Sequence, residues 1–177
     1  MSIEGIFACL LRYFTAVVSI ALVLAVPTTA TADLITLKLP GITGDVTVEG
    51  QQGTIDVQEP VTGSAGGSRA RSLPVFSDLM IHKRLDRSSP ALFLALVKGS
   101  LLGSGVITFL RTDQGGFTTF FTITLTNVLL TKCQTGDSEN EVLAGREQIN
   151  LNYERIELRD EVTGQSACWN IPAATAC

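Results

Sequence analysis

The segment Asp78-Leu-Met-Ile-His-Lys-Arg-Leu-Asp-Arg-Ser-Ser-Pro-Ala-Leu-Phe-Leu-Ala-Leu-Val-Lys-Gly99 predicts a strand that leads directly into one well-delimited helix. Ser89 can cap the helix by accepting a hydrogen bond from an unpaired backbone N–H, and Pro90 suits the first helical position, where a missing N–H is harmless. Gly99 or Gly103 can end the helix. Four apolar residues lie at helical spacing: Leu92, Phe93, Leu96 and Val97. We expect Leu92, Phe93 and Leu96 to be buried.

Most of the remaining chain predicts antiparallel strands. Apolar and polar residues alternate in Ile35–Leu39 and in Asp45–Glu49, which is the period of a half-buried strand. Asp113–Gly116 predicts the turn of a hairpin. Two longer predicted strands, Phe117–Leu130 and Gln148–Leu158, change their apolar face midway. This change predicts β-bulges, or a sheet that buries opposite faces at its two ends.

The N-terminus has the pattern of a secretory signal peptide. An apolar run, Phe14–Val26, precedes Ala30-Thr-Ala32, which has the small-x-small form of a cleavage site. The run is shorter than the ~20 residues that a membrane-spanning helix needs. We expect cleavage between Ala32 and Asp33, with an uncleaved anchor as the alternative. The mature chain is then exported, to the periplasm or beyond, with no membrane attachment.

Composition and motifs exclude several functions. The net charge is −4 at pH 7, and a mildly acidic chain argues against a nucleic-acid partner. His82 is the only histidine, so a histidine metal cluster is impossible and a serine triad would depend on His82, which we interpret as a strand residue. Carboxylates that might form an acid/base pair fit better as the solvated face of a strand: Glu154 with Glu157, and Asp160 with Glu161. We therefore predict no enzyme, and no catalytic, cofactor-binding or metal-binding residues.

Cysteine usage leaves the redox state open. The mature part contains Cys133, Cys168 and Cys177, an odd number, so at least one thiol stays free or pairs between chains. Cys168 and Cys177 are close in sequence, and Pro172 can turn the chain between them. A Cys168–Cys177 disulfide and no disulfide at all are both compatible with the sequence.

Two loops differ in composition from the strands around them. The segment from Gly63 to Arg71 is rich in glycine and serine and predicts a flexible excursion, and Pro60 before it indicates an edge or bulged strand. The segment from Gln134 to Gly145 is acidic. A local excess of basic residues is interpreted as a solvated loop and strand end: Arg69, Arg71, Lys83, Arg84 and Arg87.

The motif Lys83-x-x-Asp86-x-x-Ser89-Pro90-x-Leu92 resembles the strand-to-helix signature of the haemolysin-coregulated proteins (Hcp), the tube proteins of bacterial type VI secretion. The glycine- and serine-rich excursion, the pair of long strands and the closing Trp169-Asn-Ile171 are also similar to that family. The likeness extends from about Ile35 to Ile171.

This resemblance implies a mainly β fold: a small closed β-barrel of two packed antiparallel sheets with one flanking α-helix, over residues 33–177. It also implies a homohexameric ring that can stack and that accepts protein cargo in its lumen. The loop that would contact a neighbouring ring contains Gly63, Ser64, Gly66, Gly67, Arg69 and Arg71. Its two arginines could meet the acidic loop of another protomer or ring, which contains Asp137, Glu139 and Glu141.

One departure from the family affects the functional prediction. Tube proteins are normally made without a cleavable signal, whereas residues 1–32 predict one. The alternative to a ring-forming assembly protein is therefore an exported monomeric or dimeric binding module. A hydrolase that uses His82 is a third, weaker reading.

Overall fold

A computed structural model describes residues 33–58, 61–66, 74–113, 115–136 and 145–177. The predicted leader, residues 1–32, lies outside the described residues, so the cleavage site between Ala32 and Asp33 is not placed. Other predicted features also lie outside them: Pro60, Gly67, Arg69, Arg71, Asp137, Glu139 and Glu141.

The described part contains twelve strands and one helix. In chain order they are β1 (Leu34–Lys38), β2 (Ile55–Val57), β3 (Ala65–Gly66), β4 (Val75–Phe76), β5 (Leu79–Arg84), α1 (Ser89–Lys98), β6 (Gly105–Asp113), β7 (Gly116–Thr126), β8 (Leu129–Thr135), β9 (Arg146–Asn152), β10 (Arg155–Asp160), β11 (Ser166–Asn170) and β12 (Thr175–Ala176). The predicted mainly β class with one helix is confirmed.

Ten of the strands form one antiparallel sheet in the order β12-β11-β10-β7-β6-β1-β2-β5-β9-β8, and β3 and β4 form a separate ribbon. Among the described residues the edge strands β8 and β12 do not pair with each other, so the prediction of a closed barrel made of two packed sheets is wrong. The helix explains the open edge. α1 packs against β8, and Leu101, just after the helix, bridges Leu129. Helix and bridge cover an edge strand that would otherwise present unpaired backbone groups.

The sheet curls around one core. β7 is followed at once by β8, and β9 by β10, although each pair lies far apart in the strand order. Asn127, with φ 55°, makes the first corner, in a conformation that asparagine tolerates better than most residues. Tyr153 and Glu154 make the second corner. The predicted change of apolar face within Phe117–Leu130 and Gln148–Leu158 is therefore a corner between two strands.

One hydrophobic cluster joins both halves of the curled sheet to α1. Its members come from the central strands, the corners and the helix: Leu37, Leu39, Ile42, Ile55, Val57, Leu79, Ile81, Leu92, Ile107, Ile123, Leu125, Val128, Leu130, Ile149, Leu151, Tyr153 and Ile156. Because Leu130 lies on one edge strand and Ile156 lies near the other edge, their common cluster requires the curl.

The predicted strand Asp45–Glu49 is wrong. This segment instead forms an irregular loop beside β2, held by backbone bonds from Gly44 N to Gly53 O (2.8 Å) and from Val46 N to Thr54 O (3.1 Å). Gly44 approaches so closely that a Cβ there would lie 2.3 Å from the Thr54 carbonyl oxygen. A side chain at position 44 would therefore clash with the backbone of Thr54, so glycine is required where this loop begins.

The helix differs from its prediction in cap and in buried face. Its N-cap is Ser88, not Ser89, while Pro90 lies in the first turn and Gly99 ends the helix in a left-handed conformation, as predicted. Leu92 and Ala95 are the buried residues. Phe93 and Val97 are 58% and 60% exposed, so the expected burial of Phe93 is wrong. α1 lies on an edge strand, and only a narrow stripe of its surface meets the core.

A disulfide joins Cys168 in β11 to Cys177, nine residues later, and Cys133 is the free cysteine of the described part. The bond closes the hairpin of β11 and β12 at the edge of the sheet. Within the described ranges, no helix has the length and apolarity needed to cross a bilayer.

Candidate functional site

Lys83, at the end of β5, is a buried cation between the sheet and the helix, with no solvent exposure. Its Nζ lies 2.9 Å from Glu147 Oε2 and 2.9 Å from Asp86 Oδ1. It also donates to Ser89 Oγ at 3.0 Å and to the Arg84 carbonyl at 2.7 Å. The interpretation of Lys83 as part of a solvated strand end is therefore wrong, because a full set of acceptors replaces its water shell.

Glu147 faces Lys83 from β9, where the two residues are register partners, and its side chain is 2% exposed. Besides Lys83, it accepts hydrogen bonds from Ser89 Oγ at 2.8 Å and from Cys133 Sγ at 3.0 Å. Burial alone would raise the pKa of the Glu147 carboxyl. The hydrogen bonds from Cys133, Lys83 and Ser89 and the positive charge of Lys83 outweigh burial and lower the pKa below its ordinary value.

Asp86 completes the network from the turn between β5 and α1. Its carboxylate accepts from the Ser88 N–H at 2.9 Å and from the Ser88 hydroxyl, while its own N–H donates to Ser89 Oγ at 3.2 Å. Burial would raise the pKa of Asp86, but these Ser88 bonds and the nearby Lys83 lower it. The turn between β5 and α1, which sets the direction of the helix, is thus fixed by hydrogen bonds that involve side chains.

The structure brings together the polar part of the predicted signature. Lys83, Asp86 and Ser89 meet at one ammonium group, Pro90 is exposed in the first helical turn, and Leu92 is fully buried in the core. We call the set Lys83, Asp86, Ser89 and Glu147 the helix lock, of which Lys83 and Glu147 are buried. It joins α1 to β5 and β9, and so fixes where the helix lies on the sheet.

Sequence reasoning missed Glu147 and the hydrogen bond of Cys133. Glu147 did carry a signal, since it falls in phase with Ile149 and Leu151, which are fully buried on the same face of β9. A carboxylate on an apolar strand face needs a buried partner. Cys133 is held as a neutral thiol, because burial and the adjacent Glu147 raise its pKa to about 12.

The helix lock holds structure and leaves no group free for catalysis. The Lys83 ammonium is enclosed by acceptors, and a thiol with so high a pKa is a poor nucleophile at neutral pH. Three of the four carboxylates considered as acid/base pairs are used structurally: Glu157 by Arg155, Glu161 by Arg159, and Asp160 by two backbone N–H groups. No cluster of metal-ligating side chains occurs within the described ranges.

Part of the predicted ring-contact loop belongs to a short arm. Gly66 of β3 pairs with Val75 of β4, and at the base of the arm Ser64 N donates to Ser77 Oγ at 2.8 Å, with a return bond from Ser77 N to Ser64 O at 2.9 Å. Gly63 is packed against Leu79, whose Cδ2 would lie 2.4 Å from an added Cβ. The base of this arm is therefore anchored to the sheet.

A cavity of about 250 Å³ lies between the base of the arm and the second sheet corner. Its apolar walls are formed by Phe76, Tyr153, Ile171 and Pro172, and Glu154 also lines it. It is separate from the helix lock.

Together, the curled antiparallel sheet and the single locked helix define a class of β protein that solved structures share. Hcp1 from Salmonella typhimurium has a TM-score of 0.72 at 18% identity, over 83% of this chain and 100% of that chain. Hcp1 from the E. coli EAEC 042 pathovar has a TM-score of 0.66 at 22% identity, over 80% and 99%. A type VI secretion system effector from Yersinia pestis has a TM-score of 0.65 at 18% identity, over 77% and 98%.

The sequence profile described as type VI secretion system effector, Hcp, matches residues 36–159. The chain therefore belongs to the Hcp family, and the resemblance found at the signature motif is confirmed. No curated protein is a significant match to the sequence.

Proposed function

We propose that this protein is a non-enzymatic assembly subunit, similar to the type VI tube proteins, whose copies join into a ring of six with a lumen for small protein cargo. The observation that carries the proposal is the match to the family profile over residues 36–159. Alignment with nearly the whole length of several solved Hcp chains agrees with it. A ring subunit needs a rigid shape, and the helix lock supplies rigidity at the junction of helix and sheet.

The outer face of the helix gives further support. Phe93, Leu94, Val97 and Leu101 are all more than two-fifths exposed and belong to α1 or the segment after it. A contiguous apolar surface on a folded protein is typical of a protein–protein contact. We infer that this face is covered by a neighbouring protomer in the ring.

Size and shape measurements test this proposal. The purified protein should elute at the mass of six copies by size-exclusion chromatography with light scattering, and negative-stain electron microscopy should show rings. A monomer or dimer at all concentrations would contradict ring assembly and would favour the exported binding module instead.

We also propose that the protein is exported, with residues 1–32 removed between Ala32 and Asp33. The Cys168–Cys177 disulfide supports this, because such bonds persist in oxidising compartments outside the cytoplasm. Intact-mass measurement of protein recovered from the periplasm or medium should give a chain that begins at Asp33. A mature chain that retains residue 1 in the cytoplasm would refute export.

A further inference from the structure

The cavity beside the second sheet corner has a lining that no part of the proposed ring function uses. Phe76 from the arm and Tyr153 from the corner supply aromatic walls, and Ile171 and Pro172 from the C-terminal segment supply aliphatic ones. At about 250 Å³, it lies below the range of pockets for drug-sized ligands. Its volume suits one side chain.

One carboxylate, that of Glu154, belongs to a lining residue of the cavity, and a second, that of Asp78, lies behind the lining residue Asn152. Glu154, in its lining, is exposed and accepts one hydrogen bond from Asn127 Nδ2 at 2.6 Å. Asn152, also in the lining, donates to Asp78 at 2.8 Å. Among the described residues, no lysine or arginine forms a salt bridge with either carboxylate.

The charge of Asp78 also reaches the aromatic wall. Tyr153 donates from its hydroxyl to the Ser77 carbonyl at 3.3 Å, and burial together with the negative charge of Asp78 raises the pKa of Tyr153. A cation bound in the cavity would therefore be attracted by the negative charge of Asp78.

The walls are held in place before any ligand arrives. Ile171 N donates to the Glu154 carbonyl at 2.8 Å, which ties the C-terminal wall to the sheet corner. The Cys168–Cys177 disulfide closes the loop that contains Ile171 and Pro172. A preformed cavity loses less conformational entropy on binding.

We propose that this cavity binds an arginine side chain presented by a partner polypeptide. The guanidinium group meets Glu154 through charge-assisted hydrogen bonds and packs against the aromatic walls, while the aliphatic stem lies along Ile171 and Pro172. Arginine fits better than lysine, because only its planar group both stacks on rings and forms paired bonds to a carboxylate.

The partner is a polypeptide and not free arginine. Free arginine carries an α-carboxylate, and the lining contains no lysine or arginine to hold it. Beside Glu154 that group would be repelled, whereas a peptide bond is neutral. This inference does not rest on ring assembly, since every lining residue belongs to one protomer.

Backbone amide NMR on the purified protein tests the inference, with acetyl-Gly-Arg-Gly-amide as the probe. Signals of Tyr153 and Ile171 should shift and saturate. The citrulline analogue, equal in shape but neutral, should bind about tenfold more weakly, the factor that corresponds to 1.4 kcal/mol. Glu154→Gln should cause a similar loss without unfolding, because glutamine still accepts from Asn127, and the exposed Glu49→Gln should behave as wild type.

Four outcomes would overturn the inference. If the citrulline peptide bound equally well, or if Glu154→Gln bound the arginine peptide as tightly as wild type, charge would not contribute to binding. Free arginine binding as tightly as the capped peptide would exclude a polypeptide partner. Concentration-dependent shifts of the protein alone, abolished by Glu154→Gln, would place a second copy in the cavity in place of a foreign partner.

Discussion

The Nζ atom of Lys83 and the Oε2 atom of Glu147 lie 2.9 Å apart, although 64 positions separate the residues in the sequence. Both side chains are almost completely excluded from solvent. Removing two charges from water costs several kcal/mol, which is recovered only where hydrogen bonds satisfy both groups. Here Asp86, Ser89 and Cys133 provide those bonds, so the ion pair is stable only as part of the whole helix lock.

Glu147→Ala should destabilise the protein by about 3–5 kcal/mol, because it leaves the buried Lys83 charge without its main partner. Chemical denaturation followed by circular dichroism measures the change in the free energy of unfolding. Glu157→Ala is the matched control, since it removes a partly exposed partner of Arg155 and should cost less than about 1 kcal/mol. Similar losses for the two variants would contradict the helix lock.

Acid should weaken the fold through the same residues. The folded-state pKa values of Glu147 and Asp86 lie below their ordinary values of 4.5 and 3.8. Their ionised forms therefore contribute stability that is present above these ordinary values and is lost as the pH falls through the folded-state ones. The gap in unfolding free energy between wild type and Glu147→Gln should narrow as the pH falls below about 4.5. If the difference in unfolding free energy between wild type and Glu147→Gln stayed constant down to pH 2, the lowered pKa of Glu147 would not contribute to stability.

Local patterns in the sequence were sufficient for the strand-to-helix segment, the hairpin turn at Asp113–Gly116 and the left-handed stop at Gly99. They failed where the outcome depends on distant neighbours. Helical spacing predicts that Phe93 lies in the core, but the helix packs on the edge strand β8 and Phe93 stays exposed. The spacing of apolar residues predicts which side chains share a helix face. It does not predict how much of that face the rest of the protein covers.

The candidate site shows the same limit. The motif predicts the signature residues Lys83, Asp86 and Ser89, but it gives no sign that Lys83 is buried, because its partner Glu147 comes from a strand 64 positions away. The wrong prediction of a closed barrel has the same cause. The change of face in the long strands was visible in the sequence, but whether the sheet closes depends on which elements lie at its edges.

Loss of the Cys168–Cys177 disulfide should destabilise the C-terminal edge. β12 has two residues and pairs only with Trp169 and Asn170 of β11, and closing so short a loop contributes about 2–3 kcal/mol in the chain-entropy account. Cys168→Ser, Cys177→Ser and the double variant should lower stability equally, because each removes the same bond. Hydrogen exchange should speed up first at β12. Additive losses in the double variant would show that the cysteines act separately.

Val97→Lys should dissociate the proposed ring. Val97 is 60% exposed on the outer face of α1, and a charge there would be desolvated at a protomer contact, lowering the association constant by about tenfold or more. The fold should tolerate the change, since a lysine near a helix C-terminus is favourable. Val162→Lys is the matched control: Val162 is 63% exposed but lies in the turn between β10 and β11. Light scattering should give smaller particles for Val97→Lys alone, at unchanged melting temperature. If both variants dissociated the ring equally, or if neither did, this helix face would not be the ring contact.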